Sequence, residues 1–203
     1  VTGQGSRGAG ASPLPPEFYD RGAEEVARDL LGALVVSEIG GVRCTAEIVE
    51  TEAYTGPDDE ASHAHERFGR TARNAAMFGS PGTAYVYLIY GLHWCLNAVT
   101  GPAGHPAAVL IRAARPMSGL EAMRDRRPGR PDRDLLRGPG NLCRALGIGG
   151  EWNRHPLQQS PLRIVAGEPV PDGRVAAGPR IGITRAVEAP LRFRVLDDPH
   201  VSR

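Results

Sequence analysis

Ile48-Val49-Glu50-Thr51-Glu52-Ala53-Tyr54 starts as an apolar strand and closes on two acids and a phenol, just ahead of the breaker Gly56-Pro57. Strand side chains alternate, so Glu50, Glu52 and Tyr54 share one face and Val49, Thr51 and Ala53 the other. The run Leu34 to Glu38, the pair Gly40-Gly41 and the run Val42 to Ala53 together read as a β-hairpin whose second arm delivers the two carboxylates. Read alone, an E-x-E pattern is also what an edge strand with an acidic solvent face would show.

Upstream, Val26, Leu30 and Leu31 recur at helical spacing after Asp20, with Gly32 as the stop. Residues 1–16, rich in Gly, Ser, Ala and Pro, read as a flexible tail, and residues 17–203 as one domain. Downstream, Pro57 to Gly82 has little periodicity and reads as a long surface loop, a feature that in compact domains is usually functional. Thr83 to Ile89 and Leu92 to Val99 flank Tyr90-Gly91 as a second hairpin. Ala107 to Ala114 reads as a buried strand carrying Arg112 and ending at Pro116. Met117 to Arg126 reads as a helix capped by Ser118. The run Arg127 to Arg137 fits a solvated loop or a phosphate-facing arm equally well. Gly138-Pro139-Gly140-Asn141 opens a further helix whose first N–H groups suit a phosphate. Pro161 to Ala166, Arg180 to Thr184 and Leu191 to Leu196 read as closing strands. Regular intervening helices are missing, which argues against a doubly wound parallel sheet. The expected fold is α+β: one domain with a curved, mainly antiparallel sheet, partly open and barrel-like, with peripheral helices and a protruding β-hairpin.

A chain of 203 residues with 41% hydrophobic content can bury one substantial core. Its formal charge of +1 neither announces nor excludes a nucleic-acid partner. There is no lysine, so every basic side chain is an arginine and a Schiff base would require the N-terminal amine. Cys44, Cys95 and Cys143 lack paired spacing, which argues against a disulfide framework and a four-ligand zinc site. No apolar run approaches the ~20 residues that span a bilayer. A cytoplasmic, nucleoid-associated monomer without membrane contact is the expectation.

The chemistry gathers at the aromatics. Tyr85, Tyr87 and Ile89 share one face of the second hairpin, while Tyr90 stands at its tip beside glycine, where it fits either an ordinary turn tyrosine or a wedge for insertion between base steps. A pocket of Glu52, Tyr54, His63 and Tyr87 could sandwich a flat heterocycle, at about 1–3 kcal/mol per stacked base. A cationic base would gain further by cation–π attraction. Glu52 beside such a sandwich is placed to deprotonate a water and to favour an oxocarbenium-like sugar.

The stretches Glu50 to His63, Thr71 to Phe78, Pro81 to Asn97, Val109 to Arg112 and Gly138 to Cys143 closely resemble the alkyladenine (3-methyladenine) DNA glycosylase family. The resemblance runs from Glu17 to the end of the chain. It implies a monofunctional glycosylase that binds duplex DNA, flips a damaged purine and hydrolyses its N-glycosidic bond without metal or organic cofactor. By the same resemblance, Glu52 is the carboxylate that activates water and Arg112 the arginine that holds that water and a neighbouring phosphate. Tyr54 and His63 flank one side of the flipped base, Tyr87 stacks on the other, and Asn97 screens the base edge. Tyr90 takes the place of the extruded nucleotide. Ala72 and Asn141 stand where the family commonly has proline and lysine, and Arg137 or Arg144 could supply the phosphate contact instead. Three other activities fit some of the residues: a carbohydrate glycosidase using Glu50 and Glu52 as paired acids, a metalloenzyme using His63, His65 and an acid, and a DNA-distortion-binding module without catalysis.

Overall fold

The computed structural model describes residues 11–202. Helices α1 (Pro16–Tyr19) and α2 (Ala23–Asp29) lead into β1 (Leu34–Ser37) and the eleven-residue β2 (Cys44–Tyr54). Next come β3 (Ala84–Ile89), β4 (His93–Thr100) and β5 (Ala107–Ser118). After α3 (Leu120–Arg126) and α4 (Pro139–Leu146) the chain ends with β6 (Leu162–Val165), β7 (Val175–Gly178) and β8 (Arg192–Val195). All strands join one antiparallel sheet in the order β3-β4-β5-β2-β1-β6, with β8 pairing β2 and β7. The sheet is open, as expected for the α+β reading.

β2 is the pivot. It pairs β5 along one side and, along the other, β1 and then β8. The edge-strand alternative therefore fails: Glu50 and Glu52 are both fully buried. The β2–β5 register slips between Ile48 and Glu50 and again between Glu50 and Thr51, placing Val49 on β2 and Arg112 on β5 as bulge residues. Such paired bulges bend a strand and re-aim its side chains. Here Arg112 turns toward Glu50 and Glu52.

The core lies on the opposite face. Val49, Ala53, Val109, Ile111, Leu96 and Ala98 pack there with Val26, Leu30, Leu142 and Leu146 from the helical segments. Alternation explains the split, since these strand residues are the ones that interleave with the site residues. Thr51 also faces this side, its hydroxyl donating to the Ala27 carbonyl at 2.7 Å.

Several local expectations change. The first ten residues of the anticipated tail lie outside the described residues. Its last part is docked, with Leu14 N–H donating to Ile164 O and Ala166 N–H to Ser12 O. β5 runs through Pro116 to Ser118, because that end of β5 lies beyond its pairing with β4 and the missing N–H sits next to a register slip. Ser118 is thus strand rather than cap, and Gly119, at φ 77°, opens α3. Arg180 to Thr184 is loop rather than strand, while β7 was not foreseen. The long loop after Pro57 is anchored rather than superficial: Asp59, Ser62, Asn74 and Met77 are buried. Among the described residues, no helix is long and apolar enough to cross a membrane.

Candidate active site

The sheet face opposite the core forms the floor of a cleft of about 540 Å³, a size suited to a small organic ligand. Tyr54, Tyr87, Cys95, Asn97, Leu110 and Arg112 come to it from four adjacent strands. Across from them stand the loop around His63, the segment Ile181–Arg185 and the start of α4. Tyr90 is at the rim and 79% exposed.

Glu52 does not itself line this cleft. Its carboxylate sits one layer beneath, held by three residues that do. Arg112 Nη1 lies 3.3 Å from Oε1, Ile181 N–H donates to Oε1 at 2.8 Å, and Tyr54 O–H donates to Oε2 at 3.0 Å. Burial raises the Glu52 carboxyl above its ordinary value. Arg112, Ile181 N–H and Tyr54 O–H pull it down but do not cancel that effect. A carboxylate so placed is a stronger base than one in water.

Glu50 plays a different part. Its Oε1 lies 2.8 Å from Arg192 Nε and 3.5 Å from Arg112 Nε, and its Oε2 accepts Ser202 N–H at 2.7 Å. Arg112 Nε also donates to Ser202 Oγ at 3.0 Å. Glu52 thus meets Arg112 Nη1 just beneath the cleft, while Glu50 and Ser202 hold Arg112 Nε and fix the direction in which it points. A paired-acid glycosidase finds no support in this arrangement, because Glu50 is spent on two arginines and a backbone N–H.

The aromatic residues group differently from the sequence reading. His63 stands with Tyr87, the rings edge-to-face at 4.6 Å, and its Nδ1 is 3.0 Å from Tyr85 Oη. The Tyr54 ring instead carries the Arg180 guanidinium, 4.8 Å from its centroid. Tyr54 therefore has Arg180 as its ring neighbour and His63 has Tyr87, and all three line the cleft. Burial raises the phenols of Tyr54, Tyr85 and Tyr87, so they stay protonated and can donate. Burial, assisted by Arg73, lowers His63 to about 4, which leaves a neutral ring at neutral pH. Cys95, close to Tyr87 in the cleft floor, is pushed up to about 11 by burial and stays a thiol. Asn97 is anchored by its amide N–H to Tyr85 O at 2.9 Å, which fixes the side chain at the cleft wall.

The His63 shift has a measurable consequence. A base whose folded pKa is depressed contributes stability that is fully present above its unfolded pKa, 6.5, and is lost as pH falls toward about 4. Across that window the denaturation midpoint should fall more steeply for the parent protein than for His63→Gln, measured by urea titration at stepped pH.

Several participants left no sequence signal. Arg180 is buried in a bidentate pair with Asp59, at 2.5 and 2.8 Å, and also donates to Ala53 O. Ile181 and Ser202 act through backbone N–H groups, which no side-chain motif reports. Asn141 turns inward, its amide donating to Arg137 O at 2.7 Å, while Arg144 donates to Arg126 O and Arg137 to Val201 O. His63 and His65 do not assemble a ligand set: among the described residues no group of three or more His, Cys, Asp or Glu side chains could hold a metal ion.

Known proteins are similar to this chain over most of its length. A family model described as Methylpurine-DNA glycosylase matches residues 17–199. A protein of Myxococcus xanthus (strain DK1622) is 49% identical over 193 residues, covering 94% of this chain and 93% of its own length. One of Nitrosococcus oceani is 46% identical over 194 residues, covering 93% and 92%. One of Rhizobium meliloti (strain 1021) is 50% identical over 188 residues, covering 92% and 95%. All three bear the assigned name 3-methyladenine DNA glycosylase. A family match over nearly the whole chain, together with a buried carboxylate–arginine pair beneath an aromatic slot, leads to one conclusion: the chain belongs to the methylpurine-DNA glycosylase family.

Proposed function

We propose that the chain performs its family's chemistry, removal of alkylated purines from damaged DNA for base excision repair, by flipping the base out of a duplex into this cleft and hydrolysing its N-glycosidic bond. The observation that carries the mechanism is the fully buried Glu52 carboxylate, braced by Arg112, Ile181 N–H and Tyr54 O–H immediately behind the cleft floor. Glu52 takes a proton from water, the hydroxyl oxygen bonds to C1′, and the base departs with the electrons of the broken C–N bond. A cationic methylpurine leaves as a neutral molecule, and positive charge passes through the sugar in the transition state. The Glu52 carboxylate favours that charge, and Arg112 orients the water.

Tyr54 on one side and Tyr87 with His63 on the other receive the flipped base, and Asn97 faces its edge. The protruding tip brings Tyr90 to the gap left in the stack, with the protein acting as a monomer on the minor-groove side. Flipping costs a few kcal/mol, and less for a damaged or mispaired base, which itself favours lesions. With no lysine, the reaction ends at an abasic site rather than a cut strand. A chelated preparation incubated with duplexes carrying defined methylated, deaminated or etheno purines should yield alkali-labile abasic sites. Binding without any such product would replace the hydrolase with a distortion-binding module. Strand nicking by protein with a blocked N-terminus would overturn the monofunctional assignment.

A further inference from the structure

The wall residue Tyr54 has a charged backing that the proposed reaction does not use. Arg180 has no exposed side-chain surface, does not line the cleft, and lies over the Tyr54 ring with its guanidinium carbon 4.8 Å from the centroid. Its charge is met by Asp59, which accepts Nη1 at 2.5 Å and Nη2 at 2.8 Å. Asp59 is held in place by Thr55 N–H at 3.3 Å and Ala61 N–H at 3.1 Å. Buried bidentate pairs of this kind are rarely free of cost relative to apolar packing, so their retention raises the question of what the two charges do.

A phenol face attracts cations through its negative π cloud. A guanidinium fixed on the rear face would draw on the same cloud and repel a second cation across the ring. In a poorly screened interior such repulsion is still felt at stacking distances. Asp59 turns the lone charge into a neutral pair. Arg180 can then brace the wall, tying Tyr54 to the Ala53 carbonyl and carrying Ile181 toward Glu52, without charging the slot. On the base-slot reading above, we propose that Asp59 is a specificity-determining residue: by neutralising Arg180 behind Tyr54 it keeps the slot open to cationic alkylpurines. It acts through Arg180 and Tyr54 and does not touch the base, so neutral lesions are indifferent to it.

Equilibrium binding tests this directly, in a Glu52→Gln background that leaves the lesion intact. Three duplexes are compared: one with 7-methylguanine as the cationic lesion, one with hypoxanthine as the neutral lesion, and an unmodified control. Asp59→Asn should lower the preference for 7-methylguanine over hypoxanthine by about tenfold, the effect of a unit charge across the ring at intermediate screening. Arg180→Gln leaves the carboxylate uncompensated behind the ring and should shift the same ratio the opposite way. These opposite signs are a signature that loss of packing cannot produce, and Arg180→Gln carries the test even if Asp59→Asn fails to fold. Equal weakening on both lesions, or the same sign from both variants, would reduce the pair to a loop brace and overturn the inference. If the protein with Asp59 and Arg180 intact bound neither lesion above the unmodified duplex, the base-slot reading itself would fall, and this inference with it.

Discussion

Glu52→Gln lowers single-turnover excision by about 10²–10⁴-fold, the range over which general-base assistance operates, while lesion binding persists. Glutamine keeps the shape of the side chain and an acceptor for Ile181 N–H. Thermal stability at neutral pH should hold or rise. An acid with a raised folded pKa contributes stability that is present below its ordinary value, 4.5, and lost as pH rises through the folded value. The ionised carboxylate is therefore a liability to the fold at neutral pH, and glutamine makes the uncharged state permanent. Glu50→Gln keeps the nucleophile's base and only loosens the hold on Arg112, so its excision rate should fall much less. Single-turnover assays and melting curves on the two variants side by side separate these roles. Equal, near-complete losses in both would favour paired-acid chemistry.

Tyr90→Asn should cut excision of a paired lesion by on the order of 100-fold, since the wedge supports an unstacking step costing a few kcal/mol. The same change should make the hairpin more stable. Tyr90 and Gly91 both have positive φ, 54° and 68°, in a turn closed by Leu92 N–H to Ile89 O at 3.1 Å. Turns with positive φ at both central residues favour Asn-Gly, and an aromatic there costs roughly 1–2 kcal/mol. A tyrosine that is mostly solvent-exposed gains little packing in return. Slower excision with an unchanged or raised melting temperature would identify Tyr90 as a residue kept for DNA at the expense of the turn. An unaltered rate on both paired and mispaired lesions would remove it from the flipping step.

Both hairpins were legible because their signals are local: alternating apolar runs, Gly40-Gly41 in one turn and Tyr90-Gly91 in the other. The side-chain set on the cleft followed from period-two alternation once the strands were placed. What escaped depended on partners far along the chain. Whether β2 lies at an edge or in the interior is decided by β8 and β5, not by its own residues. Arg112 reaches Glu52 through two bulges that alternation alone does not reveal. The resemblance groups His63 with Tyr54, and its aperiodic loop offers no signal against that; it stands against Tyr87, with its Nδ1 3.0 Å from Tyr85 Oη. The 121-residue separation of Asp59 and Arg180 carries no sequence signature at all.

Ser202 closes the hold on Arg112 from 90 residues away and on Glu50 from 152. Contacts of such long sequence separation require the rest of the sheet before they can form. The Ser202 share of the hold on Arg112 therefore rests on a short segment after β8, whose Val201 packs against the core only in part. Segments of this kind open locally at a fraction of the global free energy. Detachment of this segment would free Arg112 Nε from Ser202 while Glu50 and Glu52 still face it and every strand stays paired, so the aim of the guanidinium can loosen without loss of the fold.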